Sequence, residues 1–197
     1  LVDVDLRYFD YANTPLWGQR VIDGGLNWSS IFAVATGVQY QATERLMFDF
    51  MVNWAATDIG FTDCAECVAI SGVRNPVGNL MERYPEFAGA LGASYEAPLS
   101  SSLTGFLRGD LVYTGKQYAT AANIAYTAAS QRVNLRAGVR TERYTIEVFG
   151  QNVTDDDTPS NILRNGNPNG SVAQGLNVVI LAAPDPATWG ARFALRF

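Results

Sequence analysis

Apolar and polar residues alternate at period two along much of this chain, and no other feature limits the fold as strongly. Successive side chains of an extended strand point to opposite sides, so this period marks strands with two unlike faces. Leu46, Phe48, Phe50, Val52 and Trp54 alternate with Met47, Asp49, Met51, Asn53 and Ala55. Val133, Leu135, Ala137 and Val139 alternate with Asn134, Arg136, Gly138 and Arg140. Leu103, Leu107, Leu111 and Tyr113 alternate with Thr104, Arg108, Asp110 and Thr114. Trp189, Ala191, Phe193, Leu195 and Phe197 alternate with Gly190, Arg192, Ala194 and Arg196. Read throughout in this way, the chain predicts eight strands: Val2–Tyr11, Ile31–Gln41, Leu46–Thr57, Glu86–Glu96, Leu103–Tyr118, Arg132–Thr141, Tyr144–Thr154 and Thr188–Phe197. No segment longer than a turn or two carries a helical period.

The connections alternate in length. Ala42–Arg45, Ala97–Ser102 and Glu142–Arg143 are short, whereas Asn13–Ser30, Asp58–Pro85, Ala119–Gln131 and Asp155–Ala187 are long and rich in Gly, Pro, Asn and Asp. Short turns at one end and long loops at the other are the pattern of outer-membrane barrels. Ten or eleven tilted residues rise roughly 25 Å, the height of the apolar band of such barrels. The expected fold is therefore an all-β, antiparallel transmembrane β-barrel.

That fold separates the two faces. Leu, Val, Phe, Ala and Gly meet lipid, while Arg108, Asp110, Arg136, Arg140, Glu147, Arg192 and Arg196, with Asp3, Asp5, Arg7 and Asp49, face a polar lumen. None of these charges falls on an apolar face, where an Arg at mid-depth costs about 2–4 kcal/mol. Tyr8, Tyr11, Trp54, Tyr95, Tyr113, Tyr144 and Trp189 lie near strand ends, as interfacial girdles require. A soluble lipocalin-like barrel also alternates, but it has no reason to keep the connections alternating in length.

Composition narrows the function. The 197 residues are 48% apolar and only 17% charged, against about 25% charged in a typical soluble domain, and they are too apolar and aromatic for disorder. A net charge of −5 opposes nucleic-acid binding, which needs cations to neutralise phosphates. All fourteen basic residues are Arg except Lys116. With no His, the Ser-His and Cys-His nucleophile pairs and His-ligated metal sites are excluded. Asp110 and Glu147 sit on strands separated by another strand and are expected to balance Arg108, Arg136 and Arg140 rather than to form an acid–base pair. No enzyme activity and no cofactor are expected. No apolar run approaches a membrane helix. The chain opens on the acidic Leu1-Val2-Asp3-Val4-Asp5 without the features of a signal peptide, so a mature chain or a fragment is expected.

In its last third the chain resembles the C-terminal end of TonB-dependent outer-membrane receptors. The strand Thr188–Phe197 matches that family's alternating terminal strand with its final Phe. Val148-Phe149-Gly150-Gln151-Asn152-Val153-Thr154-Asp155 matches its penultimate strand, and Val133-Asn134-Leu135-Arg136-Ala137-Gly138-Val139 the strand before it. Gly37-Val38-Gln39 keeps an upstream strand motif with Gln in place of an acid, and Pro85-Glu86-Phe87-Ala88 matches a segment leading into another strand. The resemblance implies that residues 1–197 are the C-terminal part of a barrel of about 22 strands, without the plug domain. It implies uptake of a scarce ligand such as a ferric siderophore, energised by the TonB complex through the plug, in the outer membrane of a Gram-negative bacterium. It also implies that Trp189, Phe193, Leu195 and Phe197 are read by the outer-membrane assembly machinery. Two alternatives stand beside it: a self-contained eight-stranded OmpA-like structural or adhesion barrel, and a soluble lipocalin-like binding protein.

Three loop features remain. Cys64-Ala65-Glu66-Cys67 lacks the partners of a zinc site and the setting of a redox motif, which leaves a disulfide pinning a long loop in an oxidising compartment. Asp155-Asp156-Asp157 carries the carboxylates of a Ca²⁺ site but reads first as a solvated loop start. Asn165–Gly170 is turn chemistry, and the apolar Leu176–Leu181 suits either a hairpin above the membrane or a surface packed on a ligand or plug.

Overall fold

The computed structural model of the protein describes residues 2–10, 29–60, 64, 67–68, 71–166 and 177–196. Its main element is one antiparallel sheet of eight strands: β1 (Val2–Asp10), β2 (Ser29–Gln41), β3 (Leu46–Ile59), β4 (Phe87–Pro98), β5 (Thr104–Thr114), β8 (Ser130–Arg140), β9 (Tyr144–Gln151) and β12 (Thr188–Leu195). They lie side by side in chain order. β1 and β12 are the outer strands, and no ladder joins them among the described residues.

The eight expected strands are these eight, with one correction. The predicted strand Leu103–Tyr118 stops at Thr114. The Gly115 amide donates to the Phe87 carbonyl at 2.8 Å, and a Cβ at Gly115 would lie 2.8 Å from that same oxygen. Only glycine allows this approach, and the chain turns away there. Gln117–Tyr118 (β6) then pairs with Tyr126–Thr127 (β7) in a small hairpin. A second hairpin joins Asn161–Gly166 (β10) to Asn177–Ala182 (β11), so Leu176–Leu181 falls largely on a strand. Its loop, including residues 167–170, lies outside the described residues.

The registers sort the residues onto two faces. Through β2, β3, β4, β5, β8, β9 and β12, one face carries Phe32, Val34, Phe48, Phe50, Leu91, Leu107, Leu111, Leu135, Val148 and Phe193. Many stay open: Leu107 is 55% exposed, Val148 57% and Phe193 65%. No Asp, Glu, Lys or Arg from Phe32 through Trp54, or on β4, β5, β8, β9 or β12, shares this face. Most of its aromatics fall into two rows. Phe32, Trp54, Phe87, Tyr113 and Trp189 lie near the long connections; Tyr40, Tyr95 and Tyr144 lie near the short turns. Phe32 meets Trp54 edge-on at 6.2 Å, and Phe87 lies 5.7 Å from Tyr113. Girdles at two depths are what two membrane–water interfaces select. Tyr11 lies outside the described residues.

Among the described residues the buried side chains gather at the end that carries the long connections. Ala33, Ala55 and Met81 form one small cluster with Tyr84 against it. Ile59, Cys64 and Cys67 form another, packed by Ala121 and Ala122. The sheet is thus a wall exposed on both sides, with its compact packing among the long connections above it.

Candidate functional site

The polar face is the first candidate. Asp49 (β3), Asp110 (β5) and Asn134 (β8) stand in one row with Gly92 (β4) between the two carboxylates. Arg108 lies one step down on β5 and turns back to this row. Its Nη1 donates to Asp49 Oδ1 at 2.7 Å, its Nη2 to Asp49 Oδ2 at 2.9 Å, and Nη2 lies 2.6 Å from Asp110 Oδ1. Reaching Asp49 means crossing β4, and the crossing point is Gly92, where a Cβ would collide with both the guanidinium and the carboxylate. The planar fork of arginine suits such two-toothed contact.

Arg136 faces Arg108 directly across the β5–β8 ladder. Like charges in that relation repel, and the Asp49–Asp110 pair draws the Arg108 charge away. Arg136 is exposed and has no ion-pair partner among the described residues. Arg140 reaches over β5 to Glu96, with Nη2 2.6 Å from Oε2. Glu147 is paired in register with Arg192 and lies 3.8 Å from it, and Arg192 stands 5.8 Å over the Phe149 ring. Glu147 therefore meets Arg192 rather than the expected Arg136 or Arg140. Sequence reading had not singled out Glu96 or Gly92; the signal for Glu96 was its parity with Ser94 and Gly92 on β4. Ser94, Glu96, Arg108, Arg136, Arg140 and Glu147 border an open hollow of about 400 Å³ that Arg196 also lines. Chemically the described part of the face is a wall of paired Arg and carboxylate groups with the Arg136 guanidinium left over. By backbone register Asp3, Asp5 and Arg7 stand opposite Gly37, Ala35 and Ala33 of β2.

The long connections form the second candidate. Cys64 and Cys67 are joined by a disulfide, and each is 2% exposed. Cys67 opens a helical turn: the Val68 amide donates to the Cys64 carbonyl, and the Gly72 amide to that of Val68. Asn123 holds a left-handed conformation, φ 54°. From there its side-chain oxygen accepts from the Leu80 amide at 2.7 Å, and its amide group donates to the Leu80 carbonyl at 2.8 Å. Asn79 donates to the Ala121 carbonyl at 2.8 Å, and the Arg83 amide to that of Tyr118 at 2.8 Å. Lys116, the chain's only lysine, stands 4.7 Å and 5.2 Å over the rings of Tyr118 and Tyr126. A hydrogen bond to Tyr118 first, then the charges of Tyr118, Tyr126 and Glu86, raise its pKa against a small cost of burial. β10 packs beside β6 and β7, and its Ile162 is 2% exposed.

The Asn152-Val153-Thr154-Asp155 motif acquires a structural reason. Asn152 is buried in the left-handed region, φ 47°. Its backbone amide donates to Asn134 Oδ1, its side-chain amide to the Asp156 and Asp185 carbonyls, and its oxygen accepts from the Asp156 amide. Asp155 accepts from the Ala187 amide. Asp156 accepts from the Gln131 and Thr158 amides. The Thr158 side chain first, then these amides and Arg132, hold its carboxyl below the usual range. Asp155 and Asp156 thus close the start of a loop onto Ala187 and β8, and no group of three or more possible metal ligands occurs among the described residues.

On β12, Trp189, Phe193 and Leu195 share the apolar face and are 67%, 65% and 50% exposed. Phe197 lies outside the described residues.

No family model and no curated protein matches the chain. Solved structures do. The siderophore receptor PiuA from Acinetobacter baumannii is 16% identical over 85% of the chain, with a TM-score of 0.61. The ferric yersiniabactin uptake receptor FyuA from Yersinia pestis is 14% identical over 100%, with a TM-score of 0.70. The ferric preacinetobactin receptor BauA from Acinetobacter baumannii is 12% identical over 98%, with a TM-score of 0.58. The chain spans 22%, 27% and 25% of those proteins, respectively. At these identities the likeness is one of fold, and the fold of this chain is that of a portion of the β-barrel of siderophore receptors.

Proposed function

We propose that residues 1–197 are the C-terminal part of the barrel wall of a TonB-dependent receptor that takes up a scarce ligand, such as a ferric siderophore, through the outer membrane of a Gram-negative bacterium. One observation carries this reading: the described strands place an unbroken, exposed apolar surface with two aromatic rows on one side, and every paired charge on the other. A water-soluble protein rarely leaves so large an apolar surface open. The unpaired edges of β1 and β12 support a wall that continues into further strands over a closed barrel of eight. In this reading the polar face lines the lumen, where a plug domain supplied by the rest of the receptor and contacting the TonB complex would lie. The long connections form the outer mouth. The apolar row of Trp189, Phe193 and Leu195, with Phe197, is the signal for the assembly machinery. The reading assigns no catalysis to the chain.

Fluorescence in the intact protein, reconstituted in bilayers, tests the orientation. Brominated lipid should quench Trp54 and Trp189, while a tryptophan placed at Val112 on the polar face should answer to an aqueous quencher instead. Quenching of Trp54 and Trp189 by the aqueous agent alone would reject the membrane wall. Transport is tested separately: the complete receptor should bind a ferric chelate, and cells lacking it should take up less of that chelate. A chelate bound and imported equally well without the receptor would reject the uptake function and leave the wall standing.

A further inference from the structure

We propose that the described residues of the β3–β4 and β5–β8 connections are one mechanical body, which orders and loosens as a unit. Two fastenings act at different places. At the first, the Cys64–Cys67 disulfide sits in a dry cluster with Ile59, and Ala121 and Ala122 of the other connection close it. At the second, Asn123 clasps both backbone groups of Leu80, and Asn79 returns a bond to the Ala121 carbonyl. The Arg83 amide on the Tyr118 carbonyl links the two connections once more, and the Met81 amide on Thr57 Oγ1 ties the body to β3. The polar groups that cross between the connections are largely backbone groups or amide side chains in two-way contact, so neither connection can leave without stranding donors and acceptors of the other. The disulfide therefore restrains a segment that contains no cysteine, residues 115–129. A ligand or partner that orders one connection lowers the ordering cost of the other, which is coupling without a change of fold. This inference does not depend on what the protein transports.

Amide hydrogen exchange on the full-length, membrane-assembled protein tests it, with amides of β8 as the control for an intact sheet. Replacing both cysteines, Cys64→Ser with Cys67→Ser, should speed exchange of the Ala119 and Asn123 amides roughly fivefold or more, together with those of Val68 and Gly72. That is the factor expected from about 1 kcal/mol of lost local stability. The reverse perturbation is Asn123→Gly, which keeps the left-handed backbone and removes the clasp. It should speed exchange of Val68 and Gly72 although the disulfide is intact. Loosening confined to the substituted connection, or no change in either, would overturn the proposal. If the cysteine variant fails to assemble, a small dithiol applied to assembled wild-type protein cleaves the bond instead. It gives two electrons and two protons to yield two thiols and is itself oxidised to a cyclic disulfide. The same amides are then read, with the same outcomes.

Discussion

The sheet and the assembly of long connections obey different rules of specification. In the sheet a residue's surroundings follow from its parity: Leu111 faces the apolar side and its neighbour Val112 the polar side. Among the connections surroundings depend on residues far away in sequence. Asn123 meets Leu80, 43 positions away, and Asn152 meets Asp185, 33 positions away. The sheet tolerates many sequences that keep its period, whereas the connections depend on single side chains held at single points. The difference can be sharpened by substitutions that obey or violate each rule.

The largest effect should come from violating parity. Leu111→Arg is expected to cost about 2–4 kcal/mol, while Val112→Arg one residue on should cost less than about 1 kcal/mol. Urea unfolding of the bilayer-inserted protein reads both, and equal losses would mean the two faces see the same solvent. Next comes Gly92→Val, which adds no charge to the apolar face yet blocks the path of Arg108 to Asp49. Overpacking of this kind costs about 1–3 kcal/mol. In a background of Asp49→Ala the valine should cost clearly less, because the contact it breaks is already gone. Full additivity would show that Gly92 matters for another reason.

Among the connections, Asn152→Gly should destabilise by about 1–2 kcal/mol, since glycine keeps the positive φ but loses the three side-chain bonds. Exchange at the Asp156 amide should rise with it. An unchanged rate there would remove Asn152 from its role as organiser. The smallest effect should be the pH response of Asp156. Its folded pKa is depressed, so its contribution is complete above the ordinary carboxylate range and fades as pH falls below that range through the lowered value. The side chain is well solvated, so the loss is modest. It should be seen as faster exchange of the Gln131 and Thr158 amides in acid, and Asp156→Asn should abolish the pH dependence.

Much of the sheet was legible because period two is a local signal and a barrel strand repeats it for its whole length. Leu46–Thr57 and Arg132–Thr141 were found within a few residues of β3 and β8. The end of β5 was missed because nothing local marks Gly115 as a stop, and the Phe87 carbonyl that it approaches lies on another strand. Charges could be placed on a face from sequence, but their pairings could not. Arg108 to Asp49 and Arg140 to Glu96 each skip a strand, and adjacency in the ladder alone would have matched Arg108 with Arg136. The function of Asn152 was hidden because a single Asn in a turn-rich stretch is ordinary turn chemistry, and its partners lie on two other segments.

The amino-acid sequence alone determined the strands, their two faces, the short and long ends, and the segregation of the mid-sheet charges to one side, since each follows from backbone periodicity and residue polarity. Tertiary structure decided the rest. It set which Arg meets which carboxylate, that Gly92 is a passage, that the Cys64–Cys67 cluster is closed by Ala121 and Ala122, and that β1 and β12 are the outer strands. The physical reason is distance along the chain. Hydrogen bonds and ion pairs act over a few ångströms in space, and only the completed register brings residues 30 to 60 positions apart within that range.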